Sequence, residues 1–193
     1  MKIVDARGET CPVPVIMLKK ALKQTKDENI KAIVDNELSS ENIEKMLKEL
    51  NIQFHSYREG NDYVVEADLT DSDAQAAPEA KIIDDVLVLS SNTMGRGSDE
   101  LGGALMKNFL YALTESDMLP STIIMYNSGV KLAAENPDTI VDLKKLESRG
   151  VKVMACGVCL NFFGLTDKLQ VGSVSNMYAI VQTKLAAKKL IQL

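Results

Sequence analysis

Tryptophan is absent from this chain, and aromatic residues make up only 5% of its 193 residues. A base-stacking platform for nucleic acid is built from such rings, so that function class is excluded. Positive charge is also in short supply: 22 lysines and arginines face 27 acidic residues, a net charge of −5. That argues against nucleic acid and anionic membrane as partners. No apolar run approaches the roughly 20 residues of a membrane span. Met1-Lys-Ile-Val-Asp5 alternates like a strand and lacks the apolar core of a signal peptide, so the expectation is a cytoplasmic protein with no membrane partner. Histidine occurs once, at His55, and cysteine three times, at positions 11, 156 and 159. An odd, small number of cysteines does not make a disulfide scaffold. Zinc takes four ligands, and one chain with this inventory does not assemble a complete site, so no metal is expected.

What is present divides the chain in two. Residues 1–68 read as strand, helix, strand, helix, strand, strand. The first helical run, Val15 to Lys26, carries Val15, Leu18 and Leu22 on one face and Lys19, Lys20, Lys23 and Lys26 elsewhere. Ser39 or Ser40 is expected to cap a second helix with Ile43, Met46, Leu47 and Leu50 inward. Glu59-Gly-Asn-Asp62 reads as a hairpin turn. The expectation is a two-layer α+β sandwich, βαβαββ. Residues 69–81 have almost no apolar bulk and read as a linker. Residues 82–193 alternate strand and helix, as in a three-layer α/β domain with a mostly parallel sheet. In that domain Leu101, Leu105, Phe109, Ala112 and Leu113 are expected to form a buried helix face, and Leu169–Val171 a short strand.

Cys11 carries the strongest chemical signal. It stands between a strand-like run and a helix-like run, in Cys11-Pro12-Val13-Pro14. A helix N-terminus offers unpaired N–H groups and the positive end of the dipole, which favour thiolate, the reactive form. Proline is tolerated in a first helical turn, so Pro12 and Pro14 stiffen the turn that aims the sulfur.

Cys156-Gly-Val-Cys159 directly follows the strand-like run Val151–Ala155. It reads as a dithiol redox pair, as half of a metal site, as a sulfur-accepting cysteine with a neighbour, or as two buried residues. Its place beyond the carboxyl end of a strand is where α/β sheets gather reactive groups. The loop with Gly95, Arg96 and Gly97 also follows a strand, but it lacks a third glycine and a Gly-Lys-Ser/Thr ending. It reads first as a turn with Ser98 as N-cap, and second as an anion-binding loop sharing a crevice with Cys156. His55, in an alternating strand, reads as solvent-facing rather than as a base for Cys11. Arg7 and the lysine face could dock an acidic partner, though such a face is usually just solvated.

Asp5-Ala-Arg7-Gly8-Glu-Thr-Cys11-Pro12-Val-Pro14 with the lysine-rich helix behind it resembles the signature of the TusA (SirA-like) sulfur-carrier family over residues 1–68. The resemblance implies that Cys11 carries persulfide sulfur and that Arg7, Gly8, Pro12 and Pro14 frame it. Gly150 through Leu165 is similar to the DsrE-like sulfurtransferase fold over residues 82–193, with Cys156 at the matching cysteine. The order of the two domains resembles the YedF-like proteins associated with bacterial selenium metabolism.

These resemblances imply a sulfur-relay protein, sulfurtransferase-like, needing no cofactor. Its expected partners are a sulfur donor such as a cysteine desulfurase and an acceptor thiol, for which Cys156 is the candidate, with self-association through the C-terminal domain left open. The competing expectations are a thiol–disulfide oxidoreductase using Cys156 and Cys159, and a non-catalytic redox-sensing module.

Overall fold

The computed structural model describes residues 1–25, 29–69 and 80–193. Lys26 and most of the expected 69–81 linker lie outside the described residues. The chain forms two compact units, Met1–Pro78 and Glu79–Leu193.

The first unit runs β1 (Lys2–Asp5), α1 (Val13–Gln24), β2 (Ile30–Val34), α2 (Glu37–Glu49), β3 (Gln53–Glu59) and β4 (Asp62–Asp68). Its sheet has the order β1-β2-β4-β3, with β1 parallel to β2 and the remaining pairs antiparallel. Alternate strand residues Val4, Ile30, Ala32, Val34, Val65 and Ala67 pack against Leu18 and Ala21 of α1 and Ile43 and Leu47 of α2. One sheet face therefore carries both helices, as a two-layer sandwich requires. The cap of α2 is Asn36, whose side chain accepts the Ser39 N–H at 2.9 Å. Ser39 and Ser40, expected as caps, lie inside the helix and are buried. All three residues are good cap formers; tertiary packing chose the earliest. Leu69, counted with the linker by composition, packs into this core, its N–H bonded to Asn29 Oδ1 at 3.2 Å.

The second unit contains β5 (Lys81–Leu89), α3 (Asp99–Thr114), β6 (Met118–Met125), α4 (Pro137–Ser148), β7 (Lys152–Cys156), α5 (Gly157–Phe162), β8 (Ser173–Ser175), α6 (Met177–Ala186) and β9 (Lys189–Gln192). All its strands are parallel, in the order β8-β7-β6-β5-β9. Leu87, Leu89, Ile123, Met125, Val153 and Ala155 pack on one face with Met106 and Leu110 of α3 and Leu143 and Leu146 of α4. Val86, Val88, Ile124, Met154 and Cys156 pack on the other with Ile180 of α6. Strand alternation thus feeds two cores and three layers.

Two details depart from the sequence reading. The buried face of α3 is Gly102, Met106, Leu110 and Thr114, whereas Leu101 and Leu105 are exposed. The face is set by Gly102, whose carbonyl accepts the Met94 N–H at 2.9 Å and whose missing side chain lets the 93–94 backbone lie against the helix. The short strand after α5 is Ser173–Ser175, not Leu169–Val171. Ser98 caps α3 as expected, accepting the Leu101 N–H at 3.2 Å. Asn136 caps α4, with Pro137 in its first turn.

Candidate functional site

Cys11 is exposed on the loop between the edge strand β1 and α1. The loop is tied from both ends. The Arg7 guanidinium grips Asp5 through Nε at 2.9 Å and Nη2 at 2.6 Å, and reaches Asp62 at 3.2 Å. Its hydrogen bonds to Asp5 hold that carboxyl down at about 2. Gly8 adopts φ +79, a conformation that favours glycine, and its N–H donates to the Asp35 carboxylate at 2.7 Å. That N–H, followed by the Asn36 side-chain amide, lowers the Asp35 pKa. The Cys11–Pro12 peptide bond is cis, and Pro12 is the N-cap of α1. The helix therefore starts at Val13, two residues before the sequence suggested. The Val13 N–H donates to the Thr10 carbonyl at 2.9 Å, and Pro14 has none to offer.

A polar neighbour of the sulfur comes instead from α2: Asn42 Nδ2 donates to Cys11 Sγ at 3.8 Å. Asn42 and Asp35 were not among the residues the sequence suggested. No local pattern marks them, because they lie 31 and 24 positions beyond Cys11 in the chain. Arg7, proposed as a docking charge, is committed to Asp5 and Asp62 and is a framing residue in geometry. His55 stands exposed on β3, with its ring 5.6 Å from that of Tyr57.

Cys156 ends β7 and is the N-cap of α5; it is 1% exposed and belongs to the core cluster under α6. Cys159 is the third residue of α5, half-buried, and packs against both cores. The two cysteines are thus the N-cap and third residue of one short helix, and Cys159 packs against the cluster that holds Cys156. Cys159 Sγ accepts the Asn127 N–H at 3.1 Å. Asn127 has φ +51, tolerated by asparagine. Gly129 follows it and lies so close to β5 that an added Cβ would sit 2.1 Å from the Leu89 carbonyl oxygen. Burial, and then the hydrogen-bonded Cys156 thiol, push the Cys159 pKa up, against the Asn127 N–H, which lowers it.

An open crevice of about 790 Å³ lies beside α3, with Ser91, Asn92, Thr93 and Ser128 on its walls. Lys107 and Lys131 also line it, paired with Asp138 at 2.9 Å and Glu135 at 3.9 Å. Cys156, Cys159, Gly95, Arg96 and Gly97 do not line it. Gly95 and Gly97 have φ of +81 and +137 and shape the turn into α3. Among the described residues, no three His, Cys, Asp or Glu side chains gather as a metal site would need, and no helix is long and apolar enough to cross a membrane.

Residues 2–66 match the family model of the sulfurtransferase TusA. A SirA-like protein from Desulfitobacterium hafniense is 31% identical over 35% of this chain and 95% of its own, with a TM-score of 0.33. The ychN protein of E. coli is 18% identical over 59% of this chain and 99% of its own, with a TM-score of 0.38. A conserved protein of unknown function from Bacteroides thetaiotaomicron is 14% identical over 57% of this chain and 95% of its own, with a TM-score of 0.42. No curated protein matches the chain. The N-terminal unit is a TusA/SirA-like domain.

Proposed function

We propose that this protein is a cytoplasmic sulfur-relay protein in which Cys11 is the carrier. The observation that carries the reading is an exposed thiol on a loop fixed by the Arg7–Asp5–Asp62 and Gly8–Asp35 contacts, within a TusA/SirA-like domain. Exposure lets a donor protein reach the sulfur, and fixing the loop removes the need to order it at each encounter. In the first step the Cys11 thiolate attacks the terminal sulfur of a donor persulfide, as on a cysteine desulfurase. The donor S–S bond breaks, the donor leaves as thiolate, and Cys11 becomes the persulfide. An acceptor thiolate then repeats the exchange on Cys11. The same thiol chemistry would carry selenium, and parallel loading from a selenium donor distinguishes the cargoes.

In this reading residues 82–193 form a DsrE-like domain joined through residues 69–81, and supply the acceptor from Cys156 and Cys159. The sequence of strand, cysteine and short helix closed by Gly164 supports it. Self-association through this domain is supported by Val158, Phe162, Tyr178 and Leu185, which are 75%, 81%, 74% and 77% exposed on α5 and α6. Single apolar surface residues are ordinary, but two large ones exposed on each of two helices are more than scattered exposure supplies. A second reading, thiol–disulfide exchange by Cys156 and Cys159, is favoured by their placement three residues apart at one helix start and in one core cluster.

The test is incubation with a cysteine desulfurase and labelled cysteine, followed by peptide mapping. Label on Cys11 in the parent and none in Cys11→Ser is expected. Undiminished loading of Cys11→Ser would overturn the carrier assignment.

A further inference from the structure

In the second unit, the two thiols are not equivalent, and their order of access is the reverse of their order in sequence. Cys156 closes the core beneath α6 and is 1% exposed. Cys159 sits one helical turn on, half-buried between the two cores, and its sulfur meets the Asn127 N–H at 3.1 Å. An incoming persulfide reaches Cys159 first. Cys156, the N-cap of the same short helix, lies in the core cluster against which Cys159 packs.

We infer that Cys159 is the sulfur-accepting thiol of this unit and that Cys156 is its resolving thiol, so that the pair discharges bound sulfur as sulfide. The inference rests on the sulfur-relay reading only for the source of the sulfur; the chemistry belongs to the pair. In the first step the Cys159 thiolate attacks the outer sulfur of a persulfide, whose S–S bond breaks to release the donor thiolate. In the second the Cys156 thiol gives up its proton and its sulfur attacks Cys159 Sγ, and the bond from Cys159 to the outer sulfur breaks. Hydrosulfide leaves with the electron pair and the two cysteines are joined. The outer sulfur is reduced and the two thiols are oxidised, so a single turnover needs no other reductant. An external dithiol would restore the pair for another round. The sulfur that takes part in both steps is the one that accepts the Asn127 N–H at 3.1 Å.

The experiment uses full-length Cys11→Ser, so that only the second unit can react, with glutathione persulfide as the sole sulfur source under anaerobic conditions. One sulfide per chain above a protein-free control is expected. The product should be lighter by two hydrogens, with Cys156 linked to Cys159 in the peptide map. Removing Cys156 should trap one extra sulfur on Cys159 and abolish the excess sulfide. Cys156→Ser places a hydroxyl in an apolar core, so Cys156→Ala is run beside it as the better-packed variant. Cys159→Ser should neither gain sulfur nor release sulfide. Sulfur on Cys156 in Cys159→Ser at the parent's rate, or unchanged sulfide release from folded Cys156→Ala, overturns the inference. Because Cys11 is absent and the donor is a small molecule, failure here leaves desulfurase loading of Cys11 standing, and failure of that loading leaves this result standing.

Discussion

Cys11 follows a strand and Cys156 ends one, and each precedes a helix, yet one thiol is exposed and the other is sealed in a core. The difference comes from the layers around the strands. β1 is an edge strand of a sheet with helices on one face, so the chain leaving it meets solvent. β7 lies between β6 and β8, and its two faces feed two different hydrophobic clusters. A cysteine ending such a strand is buried as a strand residue would be. The next thiol to emerge is Cys159, one turn later. Strand–cysteine–helix is therefore a pattern of position, and accessibility is a property of the surrounding layers.

The comparison breaks most sharply under alkylation. In the folded protein at neutral pH, Cys11 should react first, Cys159 slowly and Cys156 last, with the three converging in denaturant. Peptide mapping over a time course reads the order, and rapid labelling of native Cys156 would contradict its burial. Folding gives the next largest effect. Leu47 is fully buried in the first unit, and Leu47→Ala should cost about 2–5 kcal/mol there. If the two units fold independently, the second unit's unfolding transition should stay where it is. A common shift of both transitions would tie the units together.

A smaller effect concerns pH. Burial and the Cys156 thiol hold the Cys159 pKa above its ordinary value, so the reactive thiolate is scarce at neutrality. Alkylation of Cys159 should keep rising as pH climbs past the ordinary thiol range, where an unperturbed thiol would already have levelled off. A plateau at the ordinary value would remove burial as the cause. The smallest change should come from Asn42→Ala. It removes one long donor contact to Cys11, worth about 0.5–1.5 kcal/mol, and should slow desulfurase loading by a few-fold to tenfold at most. Fold stability should be nearly unchanged, since Asn42 is only half-buried.

Much of this was legible along the chain. The βαβαββ order, the parallel alternation of the second half, and the Ser98 helix start follow from short-range rules: periodicity of apolar residues, capping side chains, and glycine or proline at turns. The Cys11 motif was equally local, and it led to the TusA/SirA-like domain. Where several residues satisfied the same local rule, the chain alone did not choose among them. Asn36, Ser39 and Ser40 could each cap α2, and burial of the two serines selected Asn36. Two apolar stripes compete on α3, and the approach of residues 93–94 to Gly102 selected the one containing Met106 and Leu110.

The amino-acid sequence by itself determined that this protein has a reactive-looking cysteine beside a helix start and a second pair at the end of a strand. Short-range sterics and hydrogen bonding act between neighbours, so they can be read from neighbours. The tertiary structure decided which of those thiols faces water, that Asn42 reaches Cys11, and that Asn127 reaches Cys159. Those contacts join residues some thirty positions apart. They exist only because hydrophobic burial of the sheets brings distant loops together.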